Sequence, residues 1–163
     1  MQIYFWRWGK LALILLTILF GFGTSVYADT QLSNSTLSNK QVVKQMFQVF
    51  ANVNSKPSEF SKYMSSDYVQ NADGHTLNYQ GFLTHVTGLH SAMKSIHFTF
   101  DQIVAEGDFV ATHHIAHGIK KDGHPIKTEF FAFFTLKNHK IIQCQEVSRM
   151  LVGTAADKSL SYH

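Results

Sequence analysis

The chain has 163 residues, 45% of them hydrophobic and 15% charged, with 14 Lys and Arg against 11 Asp and Glu for a formal charge of +3. That length suits one domain of about 100–200 residues, and the composition excludes wholesale disorder, a collagen repeat and a polytopic membrane protein. A calculated pI near 9.0 points toward nucleic acid only until the charge is assigned to its segments.

Residues 1–28 read as a secretory signal. Arg7 and Lys10 form a positive start, Leu11 to Phe20 is a continuous apolar run, and Val26-Tyr27-Ala28 supplies small residues for cleavage. The apolar run falls short of the roughly 20 residues that span a bilayer, so cleavage is favoured over anchoring, and the protein is expected in the periplasm or outside the cell. Of the 14 basic residues, Arg7 and Lys10 leave with the signal, so 12 remain against 11 acids and the mature charge is +1. That charge gives no broad footprint for a phosphate backbone, and no nucleic-acid partner is expected. Cys144 is the single cysteine. No intrachain disulfide can form, and the residue reads as a small buried hydrophobe in a strand.

Residues 29–38 form a polar, flexible lead containing the sequon Asn34-Ser35-Thr36, and the folded domain is expected over residues 39–152. Ser38 and Gln41 stand at capping-box spacing before a helix that places Val43, Met46, Phe47 and Phe50 on one face. Pro57 opens a second, short helix that turns Phe60, Tyr63 and Met64 inward. Asp67 to Ala72 is strand-like, and Asp73-Gly74 returns it along His75 to Tyr79. A third helix carries Phe82, Val86, Leu89 and Met93, with His85 and His90 exposed on its flanks.

From Ser95 the period changes to two. Strands are expected at 96–104, Phe109 to Lys120, Ile126 to Lys137 and Lys140 to Leu151, joined at Glu106-Gly107-Asp108, Asp122-Gly123 and Asn138-His139. Residues 153–163 read as a polar, frayed tail. Three N-terminal helices on one side of a mainly antiparallel sheet make an α+β fold. On the third long strand, Phe130, Phe134 and Leu136 share one face and Phe131 and Phe133 the other, so both faces need cover. The helices supply one cover, and a second copy of the chain, forming a homodimer through the outer sheet face, supplies the other.

This order of elements, with Glu106-Gly107-Asp108-Phe109-Val110-Ala111, Asp122-Gly123-His124-Pro125 and Leu136-Lys137-Asn138-His139-Lys140-Ile141, resembles the nuclear transport factor 2-like superfamily, and most of all its SnoaL-like, polyketide cyclase-like branch. The resemblance covers about residues 39–151. It implies a conical α+β barrel whose curved sheet and helices enclose a pocket. In the ketosteroid-isomerase branch a basic Asp projects from the small strand before the third helix, where this chain offers Asn71 or Ala72. The oxyanion-stabilising Tyr of those isomerases would fall at Val49 or Phe50. Both departures argue against isomerase chemistry of that form.

Ten histidines remain in the mature chain, densest at His113, His114 and His117. His113 and His117 share a face but lie about 13 Å apart in a strand, too far for one ion, so no metal site is expected, and no cofactor either. Parity groups His114 with the small residues Val110, Thr112 and Ala116, which suits a cavity wall and a proton-moving imidazole. Glu129 and Glu146 interrupt apolar strands and count among the candidate pocket residues; facing outward they would instead form a structural pair at the rim, with Arg149 the partner of Glu146. Tyr63 and Tyr68 are expected to turn hydroxyls toward a cavity lined by Asn71, Phe98, Phe100, Phe130 and Phe134.

Three functions stay open at this point. The first is an exported domain that binds a small apolar molecule in an aromatic-lined pocket. The second is a cyclase- or isomerase-like enzyme with His114 as general base and Asn71 orienting the substrate, and the third is an exported interaction or assembly subunit.

Overall fold

The computed structural model describes residues 39–161, save the side chains of residues 159 and 161. The signal, the lead with its sequon and the capping residue Ser38 lie outside the described residues. Helix α1 occupies residues 39–51, and its stripe buries Val43, Met46 and Phe47. The expected second helix is a 3-10 turn, Pro57–Lys62, with Pro57 in its first turn and Phe60 wholly buried. A six-residue segment opened by proline cannot gain enough main-chain bonds to settle as an α-helix.

Strand β1 is Met64–Ala72 and β2 is His75–Asn78. Their connection sets Asp73 and Gly74 at φ +50° and +85°, the left-handed pair that a two-residue hairpin turn requires. Helix α2, Tyr79–Ala92, starts three residues before the expected apolar stripe because the Asn78 side chain accepts the Gly81 N–H at 2.8 Å and caps it. Met93, placed on this helix by its spacing, instead begins β3, Met93–Glu106. Strands β4, Phe109–Lys120, β5, Pro125–Lys137, and β6, Lys140–Val152, complete a meander.

The sheet order is β2-β1-β6-β5-β4-β3. All neighbours are antiparallel except β1 and β6, which run parallel with Ala72 opposite Glu146. The sheet is therefore mixed, and β2 and β3 remain as edges. The expectation of three N-terminal helices becomes two α-helices and one 3-10 turn. Helix α1 lies in the hollow of the sheet: Phe47 meets Phe98 and Phe100 of β3, His114 of β4 and Phe134 of β5 edge-on at 4.7–5.9 Å. Phe60, Leu136, Ile141 and Val110 are essentially removed from water there, each worth about 1.5–3 kcal/mol of hydrophobic stabilisation.

The tail is not frayed throughout. Residues Ala155–Ser161 form a second 3-10 segment, and Asp157 within it is 7% exposed. Sequence pattern missed this because the anchor is Lys120, 37 positions away.

Candidate functional site

Between the helices and the concave sheet face lies a cavity of about 100 Å³. Strict alternation brings its wall together: Gln70 and Tyr68 from β1, His114, Ala116 and Gly118 from β4, Thr128, Phe130 and Phe134 from β5, and Cys144 and Glu146 from β6 all point inward. The sheet register orders these groups along one axis. Glu146 lies level with Ala132 and Thr112, whereas Gly118 lies level with Ile126, six residues or about 20 Å further along β4. One end is polar. The other is apolar, formed by Leu89, Met93, Ile96, Ile126 and Leu160.

At the polar end Glu146 Oε1 accepts a hydrogen bond from Gln70 Nε2 at 2.7 Å, and Tyr68 donates to Gln70 Oε1 at 3.4 Å. The Cys144 thiol donates to Glu146 Oε2 at 3.7 Å. Desolvation pushes the Glu146 carboxyl up to about 7, against the smaller, opposing effect of the Gln70 and Cys144 hydrogen bonds; the negative charge of Asp73 adds to the rise. Burial also raises the Tyr68 phenol and the Cys144 thiol well above their ordinary values. Both stay protonated and can donate.

His114 is 2% exposed. Its ring stacks on Phe130 at 5.1 Å, and Nδ1 lies 3.0 Å from Thr112 Oγ1. Burial, aided by the neighbouring His113, pushes it down to about 4. The cavity thus holds a neutral imidazole and a carboxyl that titrates near neutrality.

Of the residues expected here, Tyr68, Phe98, His114, Phe130, Phe134 and Glu146 reach the wall. Four do not. Asn71 is exposed, because Gln70 and Ala72 take the inward positions of β1; the small strand therefore points an alanine, not an amide, into the hollow. Tyr63 packs against the core beside the 3-10 turn. Phe100 touches Phe47 and His114 behind the wall. Glu129 belongs to the outer face, where its Oε2 accepts from Arg149 Nη2 at 2.7 Å and its Oε1 lies 3.0 Å from His113 Nε2. Those two partners, His113 first, hold the Glu129 carboxyl below its usual range. Arg149 thus pairs with Glu129 rather than Glu146, since residues 146 and 149 have opposite parity on β6.

Sequence reasoning placed His85 outside, yet it is 7% exposed and lines the cavity; the wide apolar stripe of α2 left its side unassigned. Gln70 was also missed. Its signal was available in the alternation Tyr68, Gln70, Ala72. Among the described residues no group of three or more His, Cys, Asp or Glu is placed to hold a metal ion.

The SnoaL-like domain family matches residues 43–144. An uncharacterized protein of Schizosaccharomyces pombe is 28% identical over 122 residues, which cover 75% of this chain and 94% of that protein. Among solved structures, a provisionally assigned SnoaL-like polyketide cyclase from Jannaschia superposes with a TM-score of 0.60 at 12% identity, covering 70% of this chain and 87% of that one. An LEH-like epoxide hydrolase of M. tuberculosis gives 0.59 at 13% identity over 70% and 84%. A nuclear transport factor 2-like protein of Burkholderia xenovorans gives 0.55 at 17% over 71% and 92%. At these identities the likeness is one of fold.

Proposed function

The chain belongs to the SnoaL-like domain family, and from that premise we propose that it binds a small, largely apolar molecule whose hydrogen-bonding group rests against Glu146. The observation that carries this reading is an apolar, aromatic-walled cavity with a single carboxyl end, held by Gln70 and Cys144. Titration with the apolar dye N-phenylnaphthylamine tests it. Dye fluorescence rises on binding, and Ala116→Phe, which fills the wall opposite α1, removes the rise. A signal unchanged by Ala116→Phe refutes cavity binding.

A second reading, proton transfer of the cyclase or isomerase kind, is favoured by the Glu146 carboxyl near 7. A group half-protonated at neutral pH serves as base in one step and acid in the next. His114, pushed down to about 4, is a weak base at that pH, and in this reading it is a neutral hydrogen-bonding group of the wall. The inward positions of the small strand, Tyr68, Gln70 and Ala72, carry no acid, and Glu146 stands directly opposite Ala72 on β6.

The leader and the outer face complete the proposal. Export through residues 1–28 delivers a mature chain beginning at Asp29. The outer face exposes Phe109, Phe131, Phe133 and Val147, with Phe131 opposite Val147 and Phe133 opposite Ala111 in the ladder. A second copy is the occupant we assign to it. The patch is framed by both charge signs, Asp101 and Glu129 beside Arg149, and so can face its own image across a two-fold axis.

A further inference from the structure

Strand β6 ends at Val152, and the chain then doubles back over the cavity. Gly153 takes φ +142°, a setting side chains resist, and an added Cβ would press on Met150 Sδ at 2.8 Å. Thr154 donates from its N–H at 2.8 Å and from its hydroxyl at 2.7 Å to Asp157 Oδ2. The other carboxylate oxygen of Asp157 accepts from Lys120 Nζ, at the end of β4, at 2.9 Å. This latch holds Ala155–Ser161 so that Leu160 packs against Met93, Ile96 and Ile126 and becomes part of the cavity wall.

The segment joins no ladder of the sheet. An ion pair, a threonine turn and the Leu160 side chain hold it against the barrel, and a 3-10 segment outside the sheet belongs to the part of the fold that opens at least cost. Its position is also specific. Leu160 closes the apolar end, about 20 Å along the sheet from the level of Glu146 by the register of β4.

We propose that Ala155–Ser161 is a hinged cap over the apolar end of the cavity, latched by Asp157 on Lys120, and that Leu160 sets the length of apolar chain the cavity accepts. The ligand class that follows is a small amphiphile, with a hydroxyl or carbonyl head directed at Glu146 and an unbranched or flat apolar body directed toward Leu160. The cap proposal rests on the ligand-binding reading above.

The experiment uses the mature chain, N-phenylnaphthylamine as probe and a series of n-alkanols of increasing length as competitors. In stopped flow, Asp157→Asn keeps the size of the side chain but removes its charge toward Lys120, and the association and dissociation rates of the dye rise several-fold together. In competition, Leu160→Ala moves the best-bound alkanol to a longer member of the series. Each additional buried methylene there tightens binding by about fourfold. Both side chains lie outside the main core cluster, and a far-ultraviolet circular dichroism spectrum confirms that each variant is folded. If dye and alkanols bind but neither variant changes rates or chain-length preference, the cap is refuted while the binding reading stands. If neither dye nor alkanol enters the cavity of the unaltered protein, both fail.

Discussion

Glu146→Gln and His114→Phe, made separately, divide two titrations that oppose one another in the native protein. The Glu146 carboxyl rises from an ordinary 4.5 to about 7, so between those values the folded chain keeps a proton that the unfolded chain has lost. Stability from this group is full below 4.5 and is lost as pH rises through 7. His114 falls from 6.5 to about 4, so in that window the unfolded chain binds the proton and the folded chain does not. Its contribution is full above 6.5 and is lost as pH falls through about 4.

At about 1.4 kcal/mol for each step of one in pKa, each group is worth on the order of 3 kcal/mol. Because the slopes have opposite sign over nearly the same window, these two contributions largely cancel in the native protein. Glu146→Gln exposes the His114 slope, and stability climbs by about 3 kcal/mol from pH ~4 to pH ~6.5. His114→Phe keeps an aromatic ring beside Phe130 and exposes the opposite slope, with stability falling by about the same amount from pH ~4.5 to pH ~7. Urea unfolding of the chain from Asp29 onward at a series of pH values measures both. Tyrosine fluorescence or circular dichroism is the signal, because the chain from Asp29 onward contains no tryptophan. Other carboxylates titrate alike in all three proteins and drop out of the differences. A Glu146→Gln profile parallel to that of the native protein refutes the desolvated carboxyl, and with it the acid–base reading of the cavity.

Three further outcomes are expected. Phe133→Glu, on the exposed outer face, converts a dimer to a monomer in sedimentation equilibrium without loss of secondary structure; a native protein that is already monomeric refutes the outer-face interface. Ile141→Ala empties a fully buried site and costs about 2–5 kcal/mol in denaturant unfolding, and a loss under about 1 kcal/mol places Ile141 outside the tightly packed core. Gly118→Ala sets a methyl group against Met93 Cε and forces that flexible side chain aside within the cavity wall. Dye affinity falls while unfolding free energy changes little, and unchanged affinity separates Met93 from the ligand path.

Regular alternation made much of this site legible. On β4 and β5 the ladder runs without a shift from Phe109 opposite Thr135 to Ile119 opposite Pro125, so parity alone turned His114, Phe130 and Phe134 inward and Phe131 and Phe133 outward. On β6 the register shifts between Thr135 and Leu136 of its partner, and Ile142, grouped by parity with Cys144 and Glu146, falls out of the series while those two keep it. Asn71 was misassigned for another reason. A likeness to other small strands fixes a position only to within a residue, and in a strand one residue is the difference between cavity and solvent. The Glu129–Arg149 pair and the Lys120–Asp157 latch join positions 20 and 37 apart. No local period encodes such pairs; only the sheet order brings them together.

The placement of the carboxyl bears on the proposed proton transfer, because the small-strand position at which the resemblance expects an acid holds Ala72. Ala72 on β1 and Glu146 on β6 are direct partners in the parallel pair, so their Cβ atoms share one face about 5 Å apart. A methyl group at 72 leaves space that a longer acid at 146 can enter from the neighbouring strand. The longer side chain carries its carboxyl further into the hollow, where the Phe-rich wall strips its water and moves it toward neutrality. Gln70, one inward position earlier on β1, then steadies it from the side Ala72 has vacated. The chemistry therefore follows from the hollow and its register more than from any one aligned residue, and the family resemblance locates the cavity while the ladder locates the acid.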